Sequence, residues 1–168
     1  KRALITGSTS GIGWATAREL AAEGVHVILN GRDPTRLTSA IERIQSEFAD
    51  AMVDGVAADL SSAAGCQQLL EAAGEIDILV NNLGIFEPKP FEQIVDEDWL
   101  RFFEVNVMSG VRLSRHHLAL MKARNWGRIV FISSESGICP PAEMVHYGMS
   151  KSAQLSVSRA LAETCTGT

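Results

Sequence analysis

Apolar positions along the chain fall into short blocks separated by longer stretches of helical period. RALIT (Arg2 to Thr6), VHVILN (Val25 to Asn30), DGVAAD (Asp54 to Asp59), IDILVNN (Ile76 to Asn82) and RIVFIS (Arg128 to Ser133) each predict a strand. Between them the pattern predicts a helix from about Gly13 to Glu23, stopped by Gly24, and a second from the first-turn Pro34 to about Phe48. Further helices run from about Ser61 to Ala73, from about Asp96 to Arg124 after a loop carrying Pro88 and Pro90, and from about Ala142 to Glu163. Strands that are almost wholly apolar and separated by helices indicate a parallel sheet covered on both faces. The expected class is therefore α/β, a doubly wound parallel sheet in one domain over residues 1–168, without linker, low-complexity tract or repeat.

Composition narrows the function classes. With 168 residues and 46% hydrophobic content the chain can bury a core. Its net charge of −5 is spread over interspersed acids and bases, with no basic stripe for nucleic acid. No run of about 18 apolar residues suggests a membrane span, and no leader pattern precedes the first strand. Cys66, Cys139 and Cys165 are odd in number, far apart and in no CxxC pair, which suggests neither a disulfide framework nor a metal site and fits a reducing, cytoplasmic setting.

The junction between the first strand and first helix, TGSTSGIG (Thr6 to Gly13), is almost free of bulky side chains. A helix N-terminus presents free N–H groups and a partial positive charge, which suits a phosphate. Gly7 allows a sharp turn, Gly11 permits close backbone approach and Gly13 lets the helix pack on the strand; Ser8, Thr9, Ser10 and Ile12 complete the loop. A glycine triplet alone could equally be a flexible turn, and it is the place after a first strand that favours the phosphate.

The spacing is TGxxxGxG, and it resembles the cofactor loop of the short-chain dehydrogenase/reductase family. Four further motifs follow in that family's order. NNLG (Asn81 to Gly84) is similar to its Asn-Asn-Ala-Gly, with Leu83 in place of a small residue near the adenosine ribose. Asp59 and Leu60, in AADL, stand where the family's aspartate faces the adenine; Asp59 could as well cap the next helix, a role open also to Ser61 or Ser62. Asn106 lies within a helix, where asparagine is disfavoured, and in the family such a residue holds a water that links the catalytic lysine to solvent. Tyr147 and Lys151 form a YxxxK, one face of a helix, and Ser134 precedes Tyr147 by thirteen residues and follows Asn106 by twenty-eight. Ser133 is read as structural.

The resemblance implies a Rossmann-type domain and an oxidoreductase interconverting a secondary alcohol and a ketone, with Asn106, Ser134, Tyr147 and Lys151 as the catalytic set. The implied cofactor contacts are Gly7, Ser8, Thr9, Ser10, Gly11, Ile12, Gly13, Arg32, Asp59, Leu60, Asn82, Leu83, Gly84, Tyr147 and Lys151. NADP(H) is expected over NAD(H): Gly31 stands where NAD-specific members carry an acid, and the Arg32 guanidinium can pair with a 2′-phosphate. Ser10 occupies the position where many NADP users carry a second basic residue, which leaves one cation, and a surface pair between Arg32 and Asp33 is the alternative. In the mechanism a phenol, which ionises near pH 10, acts as acid or base beside the Lys151 charge, and Ser134 holds the substrate oxygen.

Two other readings stand beside this one. A non-catalytic NADP-sensing regulator would be favoured by loss of Ser134, Tyr147 or Lys151, and all three are present. A sugar-nucleotide epimerase or dehydratase shares the YxxxK, but its glycine loop is spaced TGxxGxxG. His116 and His117 are read as surface residues. His146 is read as either bordering the substrate or facing solvent, and Cys139 as lining the pocket. The expected partners are a small carbonyl or alcohol substrate and further copies of the chain, as a homotetramer or homodimer, with no nucleic acid and no membrane. Assembly is read from two apolar stripes on the Asp96 helix, one with Leu100, Phe103 and Val107 and one with Trp99, Phe102 and Leu113. The chain opens without Met and closes with ETCTGT where another strand is due. A longer polypeptide is therefore expected, its C-terminal strands missing here and the fifth strand left as an open edge beside a half-built substrate pocket.

Overall fold

The apolar blocks become five parallel strands. In the computed structural model, which describes residues 1–166, these are β1 (Arg2–Ile5), β2 (His26–Gly31), β3 (Val53–Ala57), β4 (Ile78–Asn81) and β5 (Arg128–Phe131). The helices are α1 (Gly11–Ala22), α2 (Pro34–Glu47), α3 (Ala63–Ala73), α4 (Asp96–Phe102), α5 (Ser109–Ala123) and α6 (Val145–Glu163). Gly167 and Thr168, the end of the ETCTGT stretch, lie outside the described residues.

The sheet order is β3-β2-β1-β4-β5, every pair parallel. Chain order reverses between β1 and β4, which opens a crevice at the carboxyl ends of those strands. Alternate residues explain why the strands read as continuously apolar. Leu4, Ile28 and Leu79 pack on one face with α3 and α5 residues such as Leu69 and Leu113. Ala3, Ile5, Val27, Leu29 and Val80 pack on the other with Ala17, Leu37 and Ile44 of α1 and α2. Both faces are covered, so neither needs polar alternation. The fold is the Rossmann-type α/β expected, and β5 is an edge strand with Val130 43% exposed.

Helix ends follow the local chemistry. Pro34 opens α2 under an Asp33 cap that accepts from the N–H groups of Thr35 and Arg36. Ser62 caps α3 by accepting from Gly65 N. No side chain caps α1.

The helix expected from Asp96 to Arg124 is helical throughout but not uniform. Residues Phe103–Met108 form a π turn joining α4 to α5. That turn changes which residues share a face: Leu100 and Phe103 are 65% and 39% exposed, whereas Val107, expected on their stripe, is 3% exposed. Phe102 and Leu113 of the other stripe are fully buried. Among the described residues no helix is long and apolar enough to cross a membrane.

Candidate active site

The crevice above β1 and β4 is a cavity of about 480 Å³ lined by Gly7, Thr9, Ser10, Arg32, Asp59, Leu60, Leu83 and Gly84, with Asn30, Gly31, Arg36, Ile85 and Val105. Eight of the expected cofactor contacts thus share one space. Gly7 turns at φ +61°, and a Cβ there would meet Leu83 Cα at 3.1 Å. Gly11 and Ile12 open α1 at the rim, Ile12 being 65% exposed, and the uncapped amides of this first turn are free to meet an anion.

Three expected contacts stand behind the wall. Ser8 is fully buried: its hydroxyl donates to Ile5 O at 2.7 Å and accepts from Asn30 N at 2.9 Å, and its own N–H donates to Asn30 O. With both polar groups used inside the protein, Ser8 braces the loop and does not line it. Gly13 is also buried, and a Cβ there would lie 2.7 Å from Gly7 O. Asn82 donates from Nδ2 to Thr6 O and Gly7 O at 2.9 and 3.1 Å, so it shapes the turn from below. Thr6 completes the seam, its Oγ1 accepting from the N–H groups of Asn82 and Leu83.

Asp59 is exposed, and its Oδ1 accepts from Ser61 N, while the capping role belongs to Ser62. Arg32 makes no ion pair among the described residues, because Asp33 is committed to capping α2. Sequence reasoning counted one cation here. Arg36, four residues on and one helical turn into α2, lines the same cavity and supplies a second. Asn30 was also missed: it accepts from Gly7 N at 3.3 Å and donates to Val56 O and Ala58 O, tying the glycine turn to the chain after β3. The donor set, uncapped helix amides with two guanidiniums, fits a nicotinamide dinucleotide carrying a further phosphate.

Three of the expected catalytic residues, Asn106, Tyr147 and Lys151, come together near Gly84 at the edge of this cavity. Tyr147 and Lys151 lie one turn apart on α6, with Nζ 5.7 Å from the phenol ring centre. A Cβ on Gly84 would lie 3.5 Å from Lys151 Nζ and 3.6 Å from Asn106 Oδ1, so the NNLG turn, the π turn and α6 meet there. Lys151 is 4% exposed, and its burial pushes the ammonium pKa down to about 8. Ser134 opens a short helical turn, its oxygen accepting from Ser136 N at 3.1 Å, which leaves the O–H proton available to a ligand. Ser133 donates to Lys151 O at 3.3 Å, a bracing contact as expected. Phe86 stands edge-on to Tyr147 at 6.3 Å between ring centres and is 72% exposed.

Asn106 is fully buried in the π turn. Its Nδ2 donates to Ile85 O and Ser150 Oγ, its Oδ1 accepts from Ile85 N, and its main-chain carbonyl accepts from Gln154 Nε2 at 2.6 Å. A π turn is where a mid-helix asparagine stops being a liability, because its side chain pairs across to another segment.

Three expectations for other side chains change. His146 neither faces solvent nor opens to a ligand: it is fully buried, its ring tilted against Phe102 at 4.0 Å between centres and edge-on to Trp99, and burial lowers its pKa. His117 is likewise buried and not on the surface, with its pKa lowered to about 4 by burial, then by His116 and Arg124. Its place at four-residue steps from Leu113 and Met121, both buried, was the available signal. Cys139 is exposed and lines no cavity described above.

Comparison with known proteins agrees with this geometry. The family model described as short chain dehydrogenase matches residues 1–168. The chain is 52% identical to the uncharacterized oxidoreductase YvaG of Bacillus subtilis (strain 168) over its whole length, spanning 64% of that protein. It is 36% identical over 90% of its length to the D-beta-hydroxybutyrate dehydrogenase of Cupriavidus necator. Among solved structures, the L-sorbose reductase of Gluconobacter frateurii complexed with NADPH and L-sorbose matches 98% of this chain at 34% identity with a TM-score of 0.91, and the chain covers 64% of it. The 3-oxoacyl (acyl-carrier-protein) reductase of Agrobacterium tumefaciens C58 with NADP bound matches 99% at 33% identity with a TM-score of 0.93, and the chain covers 65% of it. With the family model matching the whole chain, the glycine loop and NNLG turn on one crevice and Lys151 of the YxxxK beside Gly84 at its edge, the chain belongs to the short-chain dehydrogenase/reductase family.

Proposed function

We propose that this chain is the cofactor-binding and catalytic portion of an oxidoreductase that interconverts a secondary alcohol and a ketone, with NADP(H) preferred over NAD(H). The observation that carries the reading is the convergence of Tyr147, Lys151 and Asn106 beside a cavity lined by the glycine turn, Arg32 and Arg36. When bound, the nicotinamide supplies or accepts the hydride. The protein's part is to bind, orient and move a proton. Arg32 and Arg36 bind a 2′-phosphate, and the first turn of α1 binds the diphosphate. Lys151 would hold the ribose through its remaining ammonium N–H, and its charge would favour ionisation of the Tyr147 phenol. Tyr147 gives its hydroxyl proton to the carbonyl oxygen in reduction and takes it back in oxidation. Ser134 donates to that same oxygen and stabilises the charge developing on it.

NADPH in the sorbose reductase structure and NADP in the oxoacyl reductase structure support the cofactor choice, alongside the two guanidiniums. Exposed Leu100 and Phe103 support assembly through α4 into a homodimer or homotetramer. The cysteine spacing supports a cytoplasmic setting. A spectrophotometric screen of NADPH oxidation by the full-length protein against a panel of ketones, sugars and oxoacyl thioesters tests the activity. No turnover of any carbonyl above the rate of a Tyr147→Phe control would overturn it.

A further inference from the structure

Lys151 is held by a residue that the catalytic reading leaves unused. An ammonium has three N–H donors. One goes to Ile132 O at 2.8 Å and one to Gln154 Oε1 at 3.1 Å, which leaves the third for the side on which Gly84 opens the cavity. Gln154 is 2% exposed, and its other arm donates from Nε2 to the main-chain carbonyl of Asn106 at 2.6 Å. These two contacts fix the amide's orientation, because a flip would set NH₂ against the ammonium and carbonyl against carbonyl. Asn106 is itself fixed, through Ser150 Oγ at 2.9 Å and both main-chain groups of Ile85.

We propose that Gln154 is a positioning residue that keeps the Lys151 side chain charged and aimed into the cleft, by bridging it to the Asn106 carbonyl. Its significance for turnover rests on the role proposed above for Lys151. A buried ammonium needs acceptors in place of water, and among the described residues only the Ile132 and Gln154 oxygens supply them. The other elements packed around Nζ contribute Gly84 and Asn106, neither ionisable, and the one titratable group facing it is Tyr147 on its own helix. The depressed Lys151 pKa, near 8 and caused by burial alone, is the condition under which one lost acceptor matters most. Where the expected link from lysine to the Asn106 position was a water, the structure places a side-chain amide.

The measurement is the pH midpoint of Lys151 in the full-length protein without cofactor, from the ¹³Cε signal of labelled lysine, assigned with Lys151→Arg. Gln154→Leu should lower the midpoint by about 1 pH unit, and Gln154→Met, nearer in shape, should do the same and serves if the leucine variant does not fold. Gln154→Glu puts an oxygen back where Oε1 stands and should return the midpoint to the wild-type value or above. In carbonyl reduction at pH 7, the leucine and methionine variants should lose at least about fivefold in kcat while KM for the carbonyl stays within about twofold. A midpoint within about 0.3 of wild type in both apolar variants would overturn the proposal, since packing alone would not move it. A shifted midpoint with unchanged kcat would overturn the role in turnover. Failure of the proposed activity shows separately, as carbonyl reduction that survives Tyr147→Phe, and leaves the titration of the cofactor-free protein as its own test.

Discussion

The two sides of the crevice are built from different materials. On the side proposed to bind the cofactor the shape is set by backbone: Gly7 at φ +61°, Gly11 at φ +58°, Gly13 pressed against Gly7 O, and main-chain groups tied to Thr6 and Asn30. On the side proposed to be catalytic it is set by side chains from segments far apart in sequence, with Asn106, Ser150, Lys151 and Gln154 bonded to one another inside the protein. The first side is intolerant of added volume. The second is intolerant of lost polarity. Substitutions that respect this division, or violate it, are the means of testing it.

The largest effect should come from Tyr147→Phe, which removes a proton and almost no volume. Turnover should fall by at least about a thousandfold, about 4 kcal/mol, with the Kd for NADPH within about twofold of wild type by fluorescence titration. Activity within tenfold of wild type would break the division at its most important point.

Among the described residues two buried imidazoles, those of His117 and His146, have ring nitrogens that find no hydrogen-bond partner. His117 in the folded state takes up its proton near pH 4, below the ordinary 6.5. Between those values the unfolded chain binds the proton and the folded one does not. The stability contribution is therefore whole above pH 6.5 and is lost as the pH falls through that window, by up to about 3 kcal/mol. Urea midpoints measured from pH 7 to pH 4 should drop steeply in the wild type and more gently in His117→Leu. Parallel curves would remove His117 from the account.

On the cofactor side, Gly13→Ala should cost about 2 kcal/mol in urea unfolding, because its methyl meets Gly7 O and the Asn82 amide. Gly11→Ala meets open space and bears only the cost of its positive φ, about 1 kcal/mol. A larger loss at Gly11 than at Gly13 would show that conformation, and not packing, governs this loop. At the far end of the same cavity, Arg32→Ala should weaken NADPH binding by at least about tenfold, or 1.4 kcal/mol, and leave NADH nearly unchanged. Arg36→Ala should show the same selectivity. Equal losses for both cofactors would mean that neither guanidinium reads the phosphate.

The same division explains what could be read from the sequence. The strands, the α2 proline start and the glycine turn are local: residues within a few positions of one another determine them, and their bounds were expected almost as found. The spacing from Ser134 to Tyr147 and the YxxxK were legible through their resemblance to the family's motifs. Gln154 was not, because a glutamine three residues after a lysine looks like any solvated pair until Asn106, 48 residues away, is folded against it. His146 and His117 were misplaced because a polar side chain buried without a partner violates the rule by which a sequence is read. Val107 was assigned to the wrong face because uniform helical phase was assumed across Phe103–Met108.

That wide turn has a consequence for the tolerance of the chain to changes in length. An α-helix advances about 100° per residue, so losing one residue within α5 would swing every later side chain away from the sheet. Losing one within Phe103–Met108 would instead let the surplus turn relax to ordinary helix, with α4 and α5 each keeping its own face. The rod can absorb a deletion there and the site cannot. Asn106 would leave its place, the main-chain N–H and carbonyl of Ile85 would lose the side chain that pairs them, and the loop that brings Gly84 to Lys151 would come free of its anchor. At this one turn, a single lost codon separates the ability to fold from the ability to react.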